Sequence, residues 1–175
     1  MFNLRRWFAT FSLLMLSACA GFGGDMPAGP QRLVDVERQM GVPAMRWQAA
    51  DGSETLVYPR GPMGFQTYFV RGNAAGQYVQ REGVLDTAHF ARIQPGMTPD
   101  EVMRVLGPPV VEWTVYFKAR DELVWEWRYC DDWSEPARFN VLFDGSTQRV
   151  RSTQAATEQL RGILGIGNHR VWCSR

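Results

Sequence analysis

The stretch that decides the fold is IQPGMTPDEVMRVLGPP, from Ile93 to Pro109. Thr98 stands where a helix N-cap belongs, and Glu101 lies three residues on, the spacing of a capping box. Pro99 falls at the first helical position, where a missing N–H costs nothing. Met97 and Val102 occupy the two positions of a hydrophobic staple. Val102, Val105 and Leu106 form one apolar stripe at helical spacing. Gly107 suits the left-handed position just past a helix, and Pro108 and Pro109 forbid continuation. The spacing predicts a helix of about nine residues. Isolated helices that short are marginal in water, so the stripe must pack on something.

The residues after Pro109 supply the packing surface. VVEWTVYF (Val110 to Phe117) switches to aromatic and β-branched residues. ELVWEWRYC (Glu122 to Cys130) alternates, with Leu123, Trp125, Trp127 and Tyr129 on one face and Val124, Glu126, Arg128 and Cys130 on the other. RFNVLFDGSTQRV (Arg138 to Val150) alternates again, and Asp144-Gly145 is a turn signal. On the N-terminal side of the opening stretch, GVLDTAHFARI (Gly83 to Ile93) reads as a short helix capped by Asp86 or Thr87, with Phe90 and Ile93 inward. Short helices leading into three closely spaced strands predict an α+β arrangement, helices on one face of a three-stranded antiparallel sheet.

A looser version of the same plan occurs nearer the N-terminus, in QRLVDVERQMGVPAMRW (Gln31 to Trp47). A constant offset of 66 pairs Val36 with Val102, Arg38 with Arg104, Met40 with Leu106, Gly41 with Gly107, Pro43 with Pro109 and Trp47 with Trp113. Leu56–Tyr58 then faces Leu123–Trp125, and Thr67–Gly72 resembles Asn140–Gly145. The shared order predicts a duplicated module, its first copy lacking the capping box.

The N-terminus indicates the compartment. Arg5 and Arg6 precede an apolar run from Trp7 to Leu16 and the small residues Ser17 and Ala18, the plan of a secretory signal peptide. That run is about half the twenty or so residues a membrane-spanning helix needs. Leu16-Ser17-Ala18-Cys19 resembles the lipobox of bacterial lipoproteins, which implies acylation of Cys19 and cleavage before it. Ala20 stands where an Asp would retain the protein in the inner membrane, so the resemblance implies the outer membrane, periplasmic face. Arg5-Arg6-Trp7-Phe8 resembles a twin-arginine signal only loosely, and the general secretory route is the expectation. The expected organisation is a signal peptide over 1–18, a Gly/Pro-rich tether over 19–30, a divergent first module over 31–82, a second module over 83–152, and a C-terminal helix and tail over 153–175. The last helix is expected from about Thr153 to Leu164.

Charge and chemistry narrow the function classes. The net charge of +1 falls to −1 once Arg5 and Arg6 leave with the signal peptide. Of 19 basic residues only Lys118 is lysine, and no run of like charge appears, which argues against nucleic acid as partner. With Cys19 lipidated, Cys130 and Cys173 are an even pair in an oxidising compartment, and a disulfide between them is expected. His89 and His169 stand far apart, with no sequence signature of a nucleophile, phosphate loop or dinucleotide site. Asp131-Asp132 has no His or Cys at ligand spacing and reads as a solvated turn. No catalytic residue, cofactor or metal is expected. Six tryptophans remain after cleavage, too many for two small cores. Arg128 and Trp133, the latter in the polar loop CDDWSEP, are the candidate exposed contacts for a partner.

HFARIQPGMTPDEVMRVLGPP, the strand VWEWRY and a strand ending in FDG together resemble the BamE-like (SmpA/OmlA) lipoprotein domain over roughly Leu85 to Ser152. The resemblance implies two short helices on a three-stranded antiparallel sheet and a role as a non-catalytic structural or assembly factor in an outer-membrane protein complex. The tandem plan is similar to that of β-lactamase inhibitor proteins, which implies an alternative: a periplasmic inhibitor or binding module for a soluble envelope hydrolase.

Overall fold

The computed structural model describes residues 32–158 and 172–174. Cys19, His169, the signal stretch, the tether and the 159–164 part of the expected last helix lie outside the described residues.

The opening stretch folds as its residues dictate. Helix α3 (Pro99–Leu106) comes after α1 (Leu33–Met40) and the single turn α2 (Thr87–Phe90). The Thr98 hydroxyl accepts from the Glu101 N–H, and the Glu101 carboxylate accepts from the Thr98 N–H at 2.7 Å. Val102 and Leu106 are fully buried and Val105 nearly so. Helix α1 has only half of this device. Arg32 at its N-cap has no acceptor, so the sole reciprocal bond is the Asp35 carboxylate accepting from the Arg32 N–H at 3.4 Å. The short helix expected within Gly83–Ile93 is only the single turn α2: Asp86 caps it, accepting from the His89 N–H at 2.9 Å, Phe90 ends it, and Phe90 and the following Ile93 are buried in the core.

Each helix–Gly–x–Pro stretch leads into a four-stranded antiparallel meander, not a three-stranded sheet. The first is β1 (Met45–Gln48), β2 (Glu54–Pro59), β3 (Thr67–Gly72) and β4 (Tyr78–Gly83) in that order. The second is β5 (Val115–Phe117), β6 (Glu122–Cys130), β7 (Pro136–Asp144) and β8 (Val150–Thr157). The sequence reading takes Val110–Phe117 as one strand; Val111–Trp113 is instead a 3-10 turn, leaving only three residues to pair with β6. It also takes the region from Thr153 as helix. Thr153 to Thr157 instead completes β8, pairing with Val141 back to Ala137. The tight Asp144–Arg149 turn delivers this segment beside a buried strand, and backbone pairing there outweighs the helix propensity of Gln and Ala. The expected boundary at 152 therefore cuts a strand.

The layers run α1, first sheet, α2 with α3, second sheet. Leu56, Tyr58 and Val70 of the first sheet face Leu33 and Val36 of α1. Val57 and Phe69 point the other way and share one core with the α3 stripe and with Trp127, Tyr129, Phe139, Val141 and Phe143 of the second sheet. Phe90 of α2 stacks on Phe139 with ring centres 4.0 Å apart and meets Tyr129 edge-on at 4.7 Å. Burying a side chain of this size contributes about 1.5–3 kcal/mol, so this continuous core holds the two sheets as one body. Gly107 closes it. Its φ of 74° and ψ of −173° lie in extended positive-φ space rather than the left-handed helical region the sequence suggests. Gly41 has nearly the same conformation, φ 86° and ψ −171°. Only glycine occupies that region without strain.

Candidate binding surface

The β6–β7 hairpin ends in the loop that carries Trp133. Asp131 organises it as an Asx turn: one carboxylate oxygen accepts from the Trp133 N–H at 2.9 Å and from the Glu135 N–H at 2.8 Å. The Asp131 N–H donates to the Glu135 carbonyl at 3.0 Å, closing the hairpin. Ser134 takes a positive φ of 60°. On the flank of α2, the Thr87 hydroxyl reaches the Asp132 carboxylate at 3.4 Å. Asp131 therefore shapes the turn, while Asp132 links it to α2. Among the described residues no group of three or more His, Cys, Asp and Glu is placed to hold a metal ion.

The C-terminal segment is bound to this same turn. Cys173 is joined to Cys130, the last residue of β6, with Cα atoms 5.7 Å apart. The Cys173 N–H also donates to the Ser134 carbonyl at 3.0 Å. That brings Trp172 to the end of the sheet that carries Trp133. Trp133 is 81% exposed and Trp172 63% exposed, while Cys173 between the loop and the sheet is buried. Two indoles therefore project from one end of the second sheet on backbone held by a disulfide, an Asx turn and a main-chain hydrogen bond. Large apolar groups kept in water but fixed in place lose little conformational entropy on docking. The expected Cys130–Cys173 pairing brings the tail to this end of the sheet, but that Trp172 stands exposed beside the Trp133 loop shows only in the structure.

Arg128 is not part of this surface. The sequence reading makes it an exposed contact, but its side chain is only 20% exposed and fully engaged. It grips Glu158 with two bonds, Nε to Oε1 at 2.7 Å and Nη2 to Oε2 at 2.8 Å. Its Nη1 donates to the Pro62 carbonyl at 3.1 Å, and its guanidinium lies 4.5 Å from the Phe65 ring centre. Pro62 and Phe65 belong to the β2–β3 connection, so Arg128 straps the first sheet to the outer face of the second. Arg138 extends the strap, donating to Glu158 at 3.1 Å and to Glu126, with its guanidinium 3.8 Å from the Trp113 ring centre. Burial alone would raise the Glu158 carboxyl. Hydrogen bonds and charge from Arg128, then from Arg138, outweigh that and hold it below its ordinary 4.5. Alternation along β6 places Arg128 opposite the core face but does not show what covers that outer face.

His89 is also engaged rather than free. It is buried at the end of α2, its Nδ1 2.8 Å from Asp86 and its Nε2 3.4 Å from Glu82. Burial would raise the Asp86 carboxyl, but the His89 N–H and ring together keep it below its ordinary range. This arrangement ties α2 to β4. No helix among the described residues is long and apolar enough to cross a membrane.

No family model, curated protein or solved structure matches the chain.

Proposed function

We propose that this chain is a non-catalytic outer-membrane lipoprotein, anchored through acylated Cys19, which docks onto an envelope protein complex through its Trp133–Trp172 end. The complex it suits is an outer-membrane protein assembly machinery of the kind BamE-type lipoproteins serve. The observation that carries the reading is the pair of exposed indoles on covalently fixed backbone at one end of the second sheet. Tryptophan dominates interface hot spots, and a fixed one binds at low entropic cost. The Leu16–Cys19 lipobox resemblance and the capped-helix motif before the Trp-rich strand supply the compartment and the kinship. The same reading treats the two halves as copies of one module. The common conformation of Gly41 and Gly107 and the common strand order support that.

The test is crosslinked capture of the native lipoprotein from cells, comparing the wild type with Trp133→Ala. Truncating a central interface Trp typically costs more than about 2 kcal/mol, or over about twentyfold in affinity. Trp133→Ala should leave folding and membrane location intact and lose an outer-membrane barrel complex from the captured set. Capture of a soluble hydrolase in its place would favour the inhibitor reading instead. Cys19→Ala should release the protein from the membrane fraction; full retention after a salt wash would contradict the anchor.

A further inference from the structure

A second surface, between the first sheet and α3, has the chemistry of a ligand site. In the first sheet Trp47, Thr55 and Arg71 are direct cross-strand partners, so their side chains form one row on the face turned toward α3. Trp47 packs edge-on against Phe69 with ring centres 5.3 Å apart. Arg104 overhangs this row from α3, its guanidinium carbon 5.5 Å from the Trp47 ring centre. Between them lies an open groove of about 170 Å³, walled by Trp47, Gln48, Thr55, Phe69, Arg71 and Arg104.

The charge in this groove is one-sided. No carboxylate is on its wall. Arg71 is already paired, at 3.1 Å, with Glu82 of β4, the cross-strand partner of Phe69 just outside the groove wall. Arg104 has no ion-pair or hydrogen-bond partner among the described residues, only the indole face. One guanidinium is thus left uncompensated beside two aromatic rings and a hydroxyl. A guanidinium presents a planar fork of donors that matches a carboxylate, and it is held here by stacking rather than by a competing anion. One uncompensated positive charge matches a monoanion better than a doubly charged phosphate.

The geometry points to a binding site for a monocarboxylate that carries an apolar or aromatic group: the carboxylate on Arg104 and Arg71 with help from Thr55, and the apolar part against Trp47 and Phe69. A peptide C-terminus and a small acylated amino acid share that chemistry. This site is distinct from the Trp133–Trp172 end, and its test does not depend on that reading.

The experiment is calorimetric titration of the full chain in detergent micelles, with indole N–H signals followed by NMR. The probes are N-acetylphenylalanine, its uncharged amide, phenyl phosphate, and a tripeptide ending in Phe with a free C-terminus. The acid should bind, the amide should not, and phenyl phosphate should bind more weakly than the acid. Arg104→Gln should weaken the acid by about tenfold or more, the usual scale for losing a hydrogen bond to a charged group, with thermal stability little changed because the exposed side chain gives up only its stacking on Trp47. Tighter binding of the tripeptide assigns the site to chain ends, and equal binding assigns it to small acids. Equal binding of acid and amide, tighter binding of phenyl phosphate, unaltered binding to Arg104→Gln, or no binding at millimolar acid would each overturn the inference.

Discussion

Replacing Gly107 and Gly41 by alanine separates backbone strain from steric crowding, because the two glycines share a conformation but not a neighbourhood. Both hold positive φ with extended ψ. A side chain in that region costs on the order of 1–3 kcal/mol. A Cβ on Gly41 would meet nothing within 4 Å, so Gly41→Ala should cost only that. A Cβ on Gly107 would lie 2.7 Å from Thr67 Cγ2, 3.1 Å from Val57 Cγ1 and 3.3 Å from Phe69 Cε1. Thr67 and Val57 are fully buried and cannot swing aside, so overpacking should add about another 1–3 kcal/mol. The Gly107 carbonyl also accepts from the buried Trp127 indole at 3.2 Å, so a shift of the backbone disturbs the centre of the core. Urea unfolding monitored by circular dichroism reads both variants. With a slope of about 1–3 kcal/mol per molar urea, the Gly107→Ala midpoint should fall roughly 1 M below that of Gly41→Ala. Equal midpoints, or a lower one for Gly41→Ala, would refute the close approach of α3 to the first sheet on which the shared core rests.

Three further outcomes are expected from the same contacts. Tyr58 is buried with its hydroxyl unpaired among the described residues, and an unsatisfied buried donor carries a penalty of about 1–3 kcal/mol, so Tyr58→Phe should leave the unfolding midpoint unchanged or raise it. Cys173→Ser opens a loop with a sequence separation of 43, so the urea midpoint should fall by the equivalent of up to about 4 kcal/mol, and the wild type under reductant should match the variant. The depressed Glu158 carboxyl contributes stability that is present above its ordinary 4.5 and is lost as pH falls through its lower folded value. Glu158→Gln should therefore cost about 1–2 kcal/mol at pH 7, allowing for its partial exposure, and flatten the loss of stability below pH 4.5; a slope identical to the wild type would show that the strap is not ionic.

Legibility in the sequence tracks how local the cause is. The capping box at Thr98 and Glu101, the proline at the helix start, the buried stripe and the full extent of β6 are all set by neighbours within a few residues, and all are readable. So is the Asp86 cap. The strands β4 and β8 are not. Tyr78–Gly83 and Val150–Thr157 are mostly exposed edge strands without a clean apolar alternation, and they become strands because a partner strand lies beside them. Edge position likewise shortens β5. The candidate surface is half readable. Trp133 sits in a polar turn, which signals exposure. Arg128 lies only five residues before it, yet its fate depends on Glu158 thirty residues away and on Pro62 in the β2–β3 connection, contacts that no local pattern encodes. The Arg104 groove is invisible for the same reason, since its walls come from three strands and a helix.

The central claim is that the Trp133–Trp172 end is where this protein meets its partner. A photoactivatable residue placed at position 133 in the intact protein, with a second placed at exposed Val79 on β4, tests it in living cells. The account expects one discrete protein adduct from position 133, identified by mass spectrometry as a subunit of an outer-membrane barrel complex, lost on Trp172→Ala and absent from position 79. Adducts with lipid alone, or the same adducts from both positions, would contradict it.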